Sequence, residues 1–289
     1  IFNFVLPGYL LSYSAFLRRY QDGTDAEDLR RRISPFLMRR LKKEVLTELP
    51  DKIESVFTAQ MSPEQAKVYE ATMMRLRQRV DSIVKEKGFE RGRTEVLAAI
   101  TQLREICCHP SLVLDDYTGT SGKLDMLLDM LPEAIAKGRR VLLFSAFTSM
   151  LKILRRELDD AGYETMYLDG DTPAQRRVEM AEQFNAGQGQ IFLISLKAGG
   201  TGLNLTGADM VIHYDPWWNP AAEDQATDRA YRIGQTRKVE VIRLVTHASI
   251  EEQVVALGQR KKALFDQLIK PGESMVGGLS PEEIMSLFQ

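Results

Sequence analysis

From about residue 120 the chain alternates between two kinds of segment, and this alternation limits its fold more than any other feature. Short apolar runs at Val141–Phe144, Tyr163–Leu168, Ile191–Ser195, Met210–Tyr214 and Lys238–Val245 read as strands. Between them lie stretches with helical spacing. Met150, Leu151, Ile153, Leu154 and Leu158 form one, closing near Gly162; another runs from Thr172-Pro173 to Gly187, and a third from Pro220 to Ile233. Ser249 with Glu252 reads as a capping box opening a last helix to about Ile269. Strand–helix alternation with near-continuous apolar strands predicts a parallel sheet covered on both faces.

Residues 1 to about 118 follow a different pattern, which reads as helical and irregular. Ser62-Pro63-Glu64-Gln65 is a helix start: Ser62 caps, Pro63 suits the first position and Gln65 completes a capping box. Tyr69, Met73, Leu76, Val80 and Ile83 continue that helix until Gly88 and Gly92 break it. Thr94 opens another through Val96, Leu97, Ile100, Leu103 and Ile106, closed by Pro110. The reading divides the chain into a helical linker and protrusion (1–118), an α/β domain (119–258) and a C-terminal helix and tail (259–289).

Composition excludes several classes. With 289 residues, 44% of them apolar and 27% charged, the chain can bury a sizeable core and is neither collagen-like nor disordered throughout. No apolar run approaches the ~18 residues a membrane helix needs. Residues 1–11 are apolar but lack the basic flank and cleavage site of a signal peptide, and a start without Met is expected of a piece of a longer protein. The two cysteines, Cys107 and Cys108, are adjacent, which excludes a disulfide framework. The net charge of −2 neither demands nor excludes nucleic acid. Between Arg18 and Lys43, however, nine basic residues face four acidic ones, a pattern that suits either a solvated helix face or a stripe tracking phosphates.

In open α/β sheets ligands collect beyond the carboxyl ends of the strands, and the informative residues lie there. Ser195-Leu196-Lys197-Ala198-Gly199-Gly200-Thr201-Gly202-Leu203-Asn204-Leu205 follows one strand. Its glycines either let backbone N–H groups close on an anion beside Lys197 or merely serve a tight connection. Asp215-Pro216-Trp217-Trp218-Asn219-Pro220 follows the next strand and holds both tryptophans, at least one of which is expected to face a groove and offer a ring to a base. Asp215 also resembles a metal-binding carboxylate, a reading disfavoured without a phosphate loop. On the following helix Gln225, Arg229 and Arg232 are spaced to share one face. The two guanidiniums either pair with Glu223, Asp224 or Asp228 or clamp a phosphate.

No G-x-x-x-x-G-K-[ST] loop occurs; Gly122-Lys123 is the nearest candidate, with Tyr117 where the first glycine belongs and Leu124 where Ser or Thr belongs. Cys107-Cys108-His109 has ligand types without ligand geometry, so no metal site is expected.

In order, these blocks resemble the C-terminal half of the Swi/Snf-type ATPases of helicase superfamily two. Arg140–Leu151 resembles helicase motif IV, Tyr167-Leu168-Asp169-Gly170 with Gln175-Arg176 the next block, Ser195–Leu205 motif V and Gln225–Gln235 motif VI. Ile1–Leu10 resembles the exit from the family's first lobe, and Phe36-Leu37-Met38-Arg39-Arg40 through Leu49-Pro50 its linker. The resemblance implies the second of two RecA-like lobes, with ATP and Mg²⁺ in the cleft and most of their ligands in the first lobe.

It further implies that Arg229 and Arg232 are arginine fingers and that Gln225 and Gly202 face the nucleotide. Ser145, Lys197, Gly200, Thr201 and Asn204 would meet phosphates of double-stranded DNA, with Trp218 coupling lobe closure to strand movement. The last helix, about Ile250–Ile269, and the tail containing Leu279–Phe288 resemble the brace that packs back across the first lobe; without that lobe the tail is expected to be displaced or disordered. The location implied is cytoplasmic and nucleoid-associated in a bacterium or archaeon, nuclear in a eukaryote, with no membrane. Two other readings compete with a motor lobe: a scaffold on a dead motor fold, and a nucleotide-handling transferase.

Overall fold

The computed structural model describes residues 2–20, 25–36, 49–198, 202–268, 285 and 287–288. These fall into two compact units, one within 1–47 and 259–276, the other within 48–258 and 277–289. The first contains the helices α1 (Phe2–Val5), α2 (Tyr13–Tyr20) and α3 (Ala26–Ile33). The second opens with strand β1 (Lys52–Ala59) and the helices α4 (Pro63–Lys87), α5 (Phe89–Cys108) and α6 (Gly122–Ala136). It continues through β2 (Val141–Ser145), α7 (Thr148–Asp160), β3 (Thr165–Leu168), α8 (Ala174–Asn185), β4 (Ile191–Ser195), β5 (Met210–His213), α9 (Pro220–Thr227) and β6 (Val239–Thr246), followed by α10 (Ile250–Leu268).

The six strands form one parallel sheet in the order β1-β6-β5-β2-β4-β3. Each central strand is apolar on both faces, as a two-sided sheet requires. Leu142 and Phe144 of β2 point into one buried cluster with Phe184, Phe192 and Ile194; Val141 and Leu143 point into another with Leu127, Leu151 and Leu154. A third cluster joins α4, α5 and the start of α10 through Leu76, Val80, Ile100, Leu103, Ile250 and Val254. Among the described residues no helix is long and apolar enough to cross a membrane.

The structure corrects the sequence reading of several elements. Residues 52–59, read as irregular, form edge strand β1, paired with β6 from Lys52↔Val239 to Ala59↔Thr246. Its Ile53, Val56 and Phe57 remain exposed, so the stretch lacks the apolar signature of the inner strands. Gly92 does not break a helix; it lies inside α5, where an added Cβ would meet Ile83 Cγ2 of α4 at 2.4 Å. Of the tail, Leu287 and Phe288 are buried in the third cluster.

Gly122 and Lys123, the pair reminiscent of a phosphate loop, are packing residues. A Cβ at Gly122 would lie 1.6 Å from the Gln60 carbonyl oxygen, so only glycine allows this approach, and the Gly122 N–H donates to Gln65 Oε1 at 3.0 Å. Gln65 therefore reaches across to α6 and to the Ile106 carbonyl rather than back to its own cap; Ser62 alone caps α4. Lys123 Nζ is fully buried, 2.6 Å from Glu251 Oε1 and 3.0 Å from the Tyr214 carbonyl. Glu251 Oε2 accepts the Thr246 N–H at 2.9 Å, so the pair fastens α6, β5, β6 and α10 together. Burial opposes the Lys123 charge, but its neighbours, Glu251 among them, outweigh burial and hold its pKa above the ordinary value.

Removing one member of a buried pair leaves the other charge without its partner, a cost of about 3–5 kcal/mol. Lys123→Met is expected to lower the unfolding free energy by that order in urea titrations. The Lys123→Met/Glu251→Leu double variant should regain much of the loss. Equal losses in the single and double variants would deny the pair this role.

Candidate functional site

β2 and β5 are neighbours whose outgoing connections run to opposite sides of the sheet, β2 toward β3 and β5 toward β6. Such a switch point opens a crevice at the carboxyl ends of the strands. A buried bond spans it: Ser145 Oγ, at the end of β2, donates to Asp215 Oδ1 just beyond β5 at 2.5 Å. The same carboxylate accepts the Ala146 N–H and an N–H of Arg104 Nη2, the latter at 3.1 Å. Asp215 is thus committed to internal partners. Arg104, from α5, also donates to the Pro216 carbonyl at 2.7 Å, and its guanidinium carbon lies 5.2–5.3 Å from the ring centres of Phe147, Trp217 and Trp218.

Above this layer is a small cleft of about 200 Å³, walled by Ala146, Lys197, Trp217, Ala222 and Gln225. Lys197 and Gln225 are exposed, so two of the sequence-selected residues meet at one opening. The tryptophan on the cleft wall is Trp217; Trp218 is half-buried against the third cluster. The structure corrects Ser145 as a phosphate contact. It is 1% exposed, donates to Asp215 and accepts the Phe147 N–H at 3.1 Å, which leaves its hydroxyl nothing to offer an external phosphate.

Helix α9 starts as the sequence predicts, with Pro220 at its first turn and Asn219 capping the Ala221 N–H at 3.1 Å. It ends six residues early, at Thr227, so Gln225 lies on the helix whereas Arg229 and Arg232 lie in the turns beyond it. Tertiary partners take the backbone groups that a longer helix would use. Leu205 N–H donates to the Arg229 carbonyl at 2.9 Å, and Gln235 Nε2 donates to the carbonyls of Ala208 and Ala230 at 2.7 and 3.1 Å.

Arg229 is therefore carried beside the motif V loop. Its Nη1 lies 4.0 Å from where a Cβ of Gly202 would stand, and Gly202 has φ of +71°, a conformation that favours glycine. Arg229 is 8% exposed, and its buried Nε has no hydrogen-bond partner among the described residues. Burial and the like charge of Arg232 push its pKa down, with Asp228 opposing. Arg232 is exposed. Asn204 is exposed and its carbonyl accepts from Asn185 Nδ2 at 2.9 Å. Gly200 and Thr201 lie outside the described residues.

The early basic stretch is partly neutralised. Arg19 pairs with Asp25 and Asp28 at 2.8 and 3.1 Å, and Arg32 with Asp28 at 2.9 Å; Arg30 and Arg31 are exposed, and Arg39, Arg40, Lys42 and Lys43 lie outside the described residues. Tyr167, Asp169 and Arg176 of the second block line a separate open groove of about 690 Å³ along β3. Cys107 and Cys108 are free and buried, and burial raises both thiols, so neither is poised as a nucleophile.

The sequence reading missed Arg104, Arg243 and His213, and gave Glu223 only as a partner for the arginines of motif VI. Arg104 carried a signal, a charge on the apolar face of α5 between Ile100 and Cys107. Glu223 Oε1 accepts the Trp217 N–H at 2.7 Å and its Oε2 pairs with Arg243 at 2.7 Å, while Arg243 reaches Glu54 of β1 at 2.8 Å. The Trp loop is thereby held from the β1 side as well. Burial pushes Glu54 up, but Lys52 and Arg243 outweigh it and bring the group down to about 2.

A parallel sheet with this crevice, an arginine turn and a glycine loop defines a helicase-type RecA-like lobe. The helicase conserved C-terminal domain family matches residues 122–234, and the SNF2-related domain family matches residues 1–112. The Bacillus subtilis protein YwqA, an ATP-dependent helicase/translocase by name, is 38% identical over 303 residues, spanning all of this chain and 32% of YwqA. The Schizosaccharomyces pombe chromatin structure-remodeling complex subunit snf21 is 37% identical across 83% of the chain and 21% of its own length.

Among solved structures, the Sulfolobus solfataricus SWI2/SNF2 ATPase core in complex with dsDNA superposes with a TM-score of 0.67 at 34% identity, covering 99% of this chain and 62% of that one. The C-terminal domain of the Sulfolobus solfataricus SWI2/SNF2 ATPase superposes at 0.64 with 30% identity, covering 82% of this chain and 98% of that one. The chain belongs to the SWI2/SNF2 family of ATP-dependent helicases and translocases. It spans about a third or less of the length of these curated relatives.

His213 ties β5 to the end of α9: its Nε2 lies 3.0 Å from Thr227 Oγ1 and its ring stacks on Phe144. Burial, reinforced by the charge of Arg243, lowers its pKa from 6.5 to about 3. A histidine held neutral in the folded state contributes its full stability above the unfolded value of 6.5 and loses it as pH falls toward 3, at up to about 1.4 kcal/mol per pH unit. His213→Gln should flatten that part of the pH dependence in urea unfolding between pH 6.5 and 4.5. Parallel loss in both proteins would show that His213 is not held neutral.

Proposed function

We propose that this chain supplies the second motor lobe of an ATP-driven translocase on double-stranded DNA, working against a first RecA-like lobe of the same parent protein. In this reading residues 1–118 serve as linker and protrusion while lending β1 to the sheet, 119–258 form the lobe, and 259–289 act as brace and tail. The observation that carries the proposal is the Arg229–Gly202 juxtaposition, in which a buried guanidinium with an unpartnered Nε lies beside a like-charged arginine and a glycine loop. Such an arrangement gains from an anion, and arginine's planar fork matches phosphoryl oxygens.

When bound, ATP would supply the phosphoryl transfer. Arg229 and the neighbouring Arg232 would bind and neutralise the developing charge, and Gln225 would report occupancy from the cleft wall. Mg²⁺ finds no comparable fit: among the described residues no three His, Cys, Asp or Glu side chains converge, and Asp215 is already satisfied by Arg104, Ser145 and Ala146. Its ligands are assigned to the first lobe. Lys197, with Gly200, Thr201 and Asn204 on the same loop, would meet DNA phosphates, which position without specifying sequence. Trp217 would offer the strand its ring.

In the parent protein with both lobes, Arg232→Ala should lower kcat by about 10³–10⁵-fold, the range seen for arginine fingers, with DNA affinity nearly unchanged. Arg232→Lys should not rescue, because an ammonium lacks the fork. An unchanged kcat in Arg232→Ala would remove the finger assignment.

The 289-residue chain alone should hydrolyse no ATP, having no phosphate loop of its own. It should bind duplex DNA weakly, without sequence preference and with a steep salt dependence that Lys197→Ala reduces. Fluorescence anisotropy across a salt series checks this; a sequence preference surviving high salt would contradict it.

A further inference from the structure

Arg104 heads the fully buried side chains by size among the described residues. It leaves the apolar face of α5, lies beside both tryptophans of the loop after β5, and ends on Asp215 and the Pro216 carbonyl. The three rings around its guanidinium come from three different cores: Phe147 packs on the cluster under α7, Trp217 on the opposite face of the sheet, and Trp218 on the cluster of α4, α5 and α10. Its Nε is buried and has no hydrogen-bond partner among the described residues, so that edge of the guanidinium is held by the aromatic faces alone.

We propose that Arg104 is a positioning residue: by seating its guanidinium among Phe147, Trp217 and Trp218 while pairing with Asp215, it sets the position of the Trp217–Trp218 loop and with it the cleft lined by Lys197 and Gln225. The physical reason lies in the shape of the group. A flat cation can stack on several ring faces while its rim donates to Asp215 and Pro216, whereas an ammonium is a point charge that meets the carboxylate but offers no plane to the rings. The Trp217 N–H is held by Glu223, and Trp218 is held by packing. Removing Arg104 would therefore free the ring that forms the cleft wall while the strands beneath keep their own ladder.

The chain contains only these two tryptophans, so its indole signals report on this loop alone. The test uses the 289-residue chain and its Arg104→Met and Arg104→Lys variants, each also in a Trp218→Phe background that leaves Trp217 as the reporter. Arg104→Met is expected to lose most of the near-ultraviolet tryptophan circular dichroism and to raise acrylamide quenching severalfold, with far-ultraviolet circular dichroism unchanged. Arg104→Lys should fall between Met and wild type. A folded Arg104→Met with wild-type tryptophan spectra would overturn the proposal. If Arg104→Met does not fold, Arg104→Lys decides, and wild-type spectra and quenching in that variant would overturn it.

A second measurement rests on the motor-lobe reading and separates it from the clamp. With a fluorescein-labelled DNA duplex, Arg104→Met should weaken binding severalfold while leaving the salt slope unchanged, because the slope counts neutralised phosphates and a buried arginine contributes none. A reduced slope would make Arg104 itself a phosphate contact and overturn the positioning role. Absence of duplex binding by the wild-type chain would defeat the DNA reading, and the tryptophan spectra would still judge the clamp.

Discussion

The architecture depends on a charge placed where a two-sided sheet would otherwise close over apolar side chains. Asp215 stands just beyond β5, buried, and its partners come from two distant parts of the chain: Arg104 from α5, and Ser145 with the Ala146 N–H from the end of β2. An ionised carboxylate at this depth is tolerable only because three donors converge on it, and an arginine at this depth only because a carboxylate, a carbonyl and three aromatic faces receive it. Each group thus requires the others, and the requirement fixes where the helical segment of residues 63–108 sits on the sheet.

A second buried pair, Lys123–Glu251, repeats the device nearby and joins α6, β6 and α10 to the same strand end. Tyr214 links the two. Its carbonyl accepts from Lys123 and its hydroxyl donates to the Cys108 carbonyl at 3.1 Å, while Asp215 follows it in sequence. The stretch from His213 to Trp217 therefore ties the end of β5 to α5, α6 and α9. Loops that must hold a functional ring at a strand end need such anchors, because the backbone beyond a strand has no ladder to fix it.

The arginine turn follows a similar logic. Continuing α9 would have placed Gln225, Arg229 and Arg232 on one exposed face. Leu205 and Gln235 instead take the carbonyls of Arg229 and Ala230, and Ala230 and Tyr231 are buried in the sheet's first cluster. The result is a guanidinium buried against Gly202, in a less hydrated setting than a helix surface provides, where its interaction with an anion is stronger.

What the sequence determined by itself was the layering. β2, β4 and β5 are apolar at every position but the last, and the helices around them carry one apolar stripe each, so their identity follows from local pattern alone. The motif residues could be placed at the carboxyl ends of the strands for the same reason. What only the tertiary structure decided was everything whose partners are distant in sequence. β1 is half-exposed at a sheet edge and has no apolar run to betray it; its place comes from hydrogen bonds to β6. The end of α9 is set by Leu205 and Gln235, not by a breaker within the helix. Which tryptophan faces the cleft is set by Arg104, more than a hundred residues earlier in the chain, and Ser145 is withdrawn from the surface by an aspartate seventy residues away. Periodicity records which face of an element is buried, because burial acts on each residue separately. It carries no record of which buried charge meets which, because that depends on how the layers are stacked.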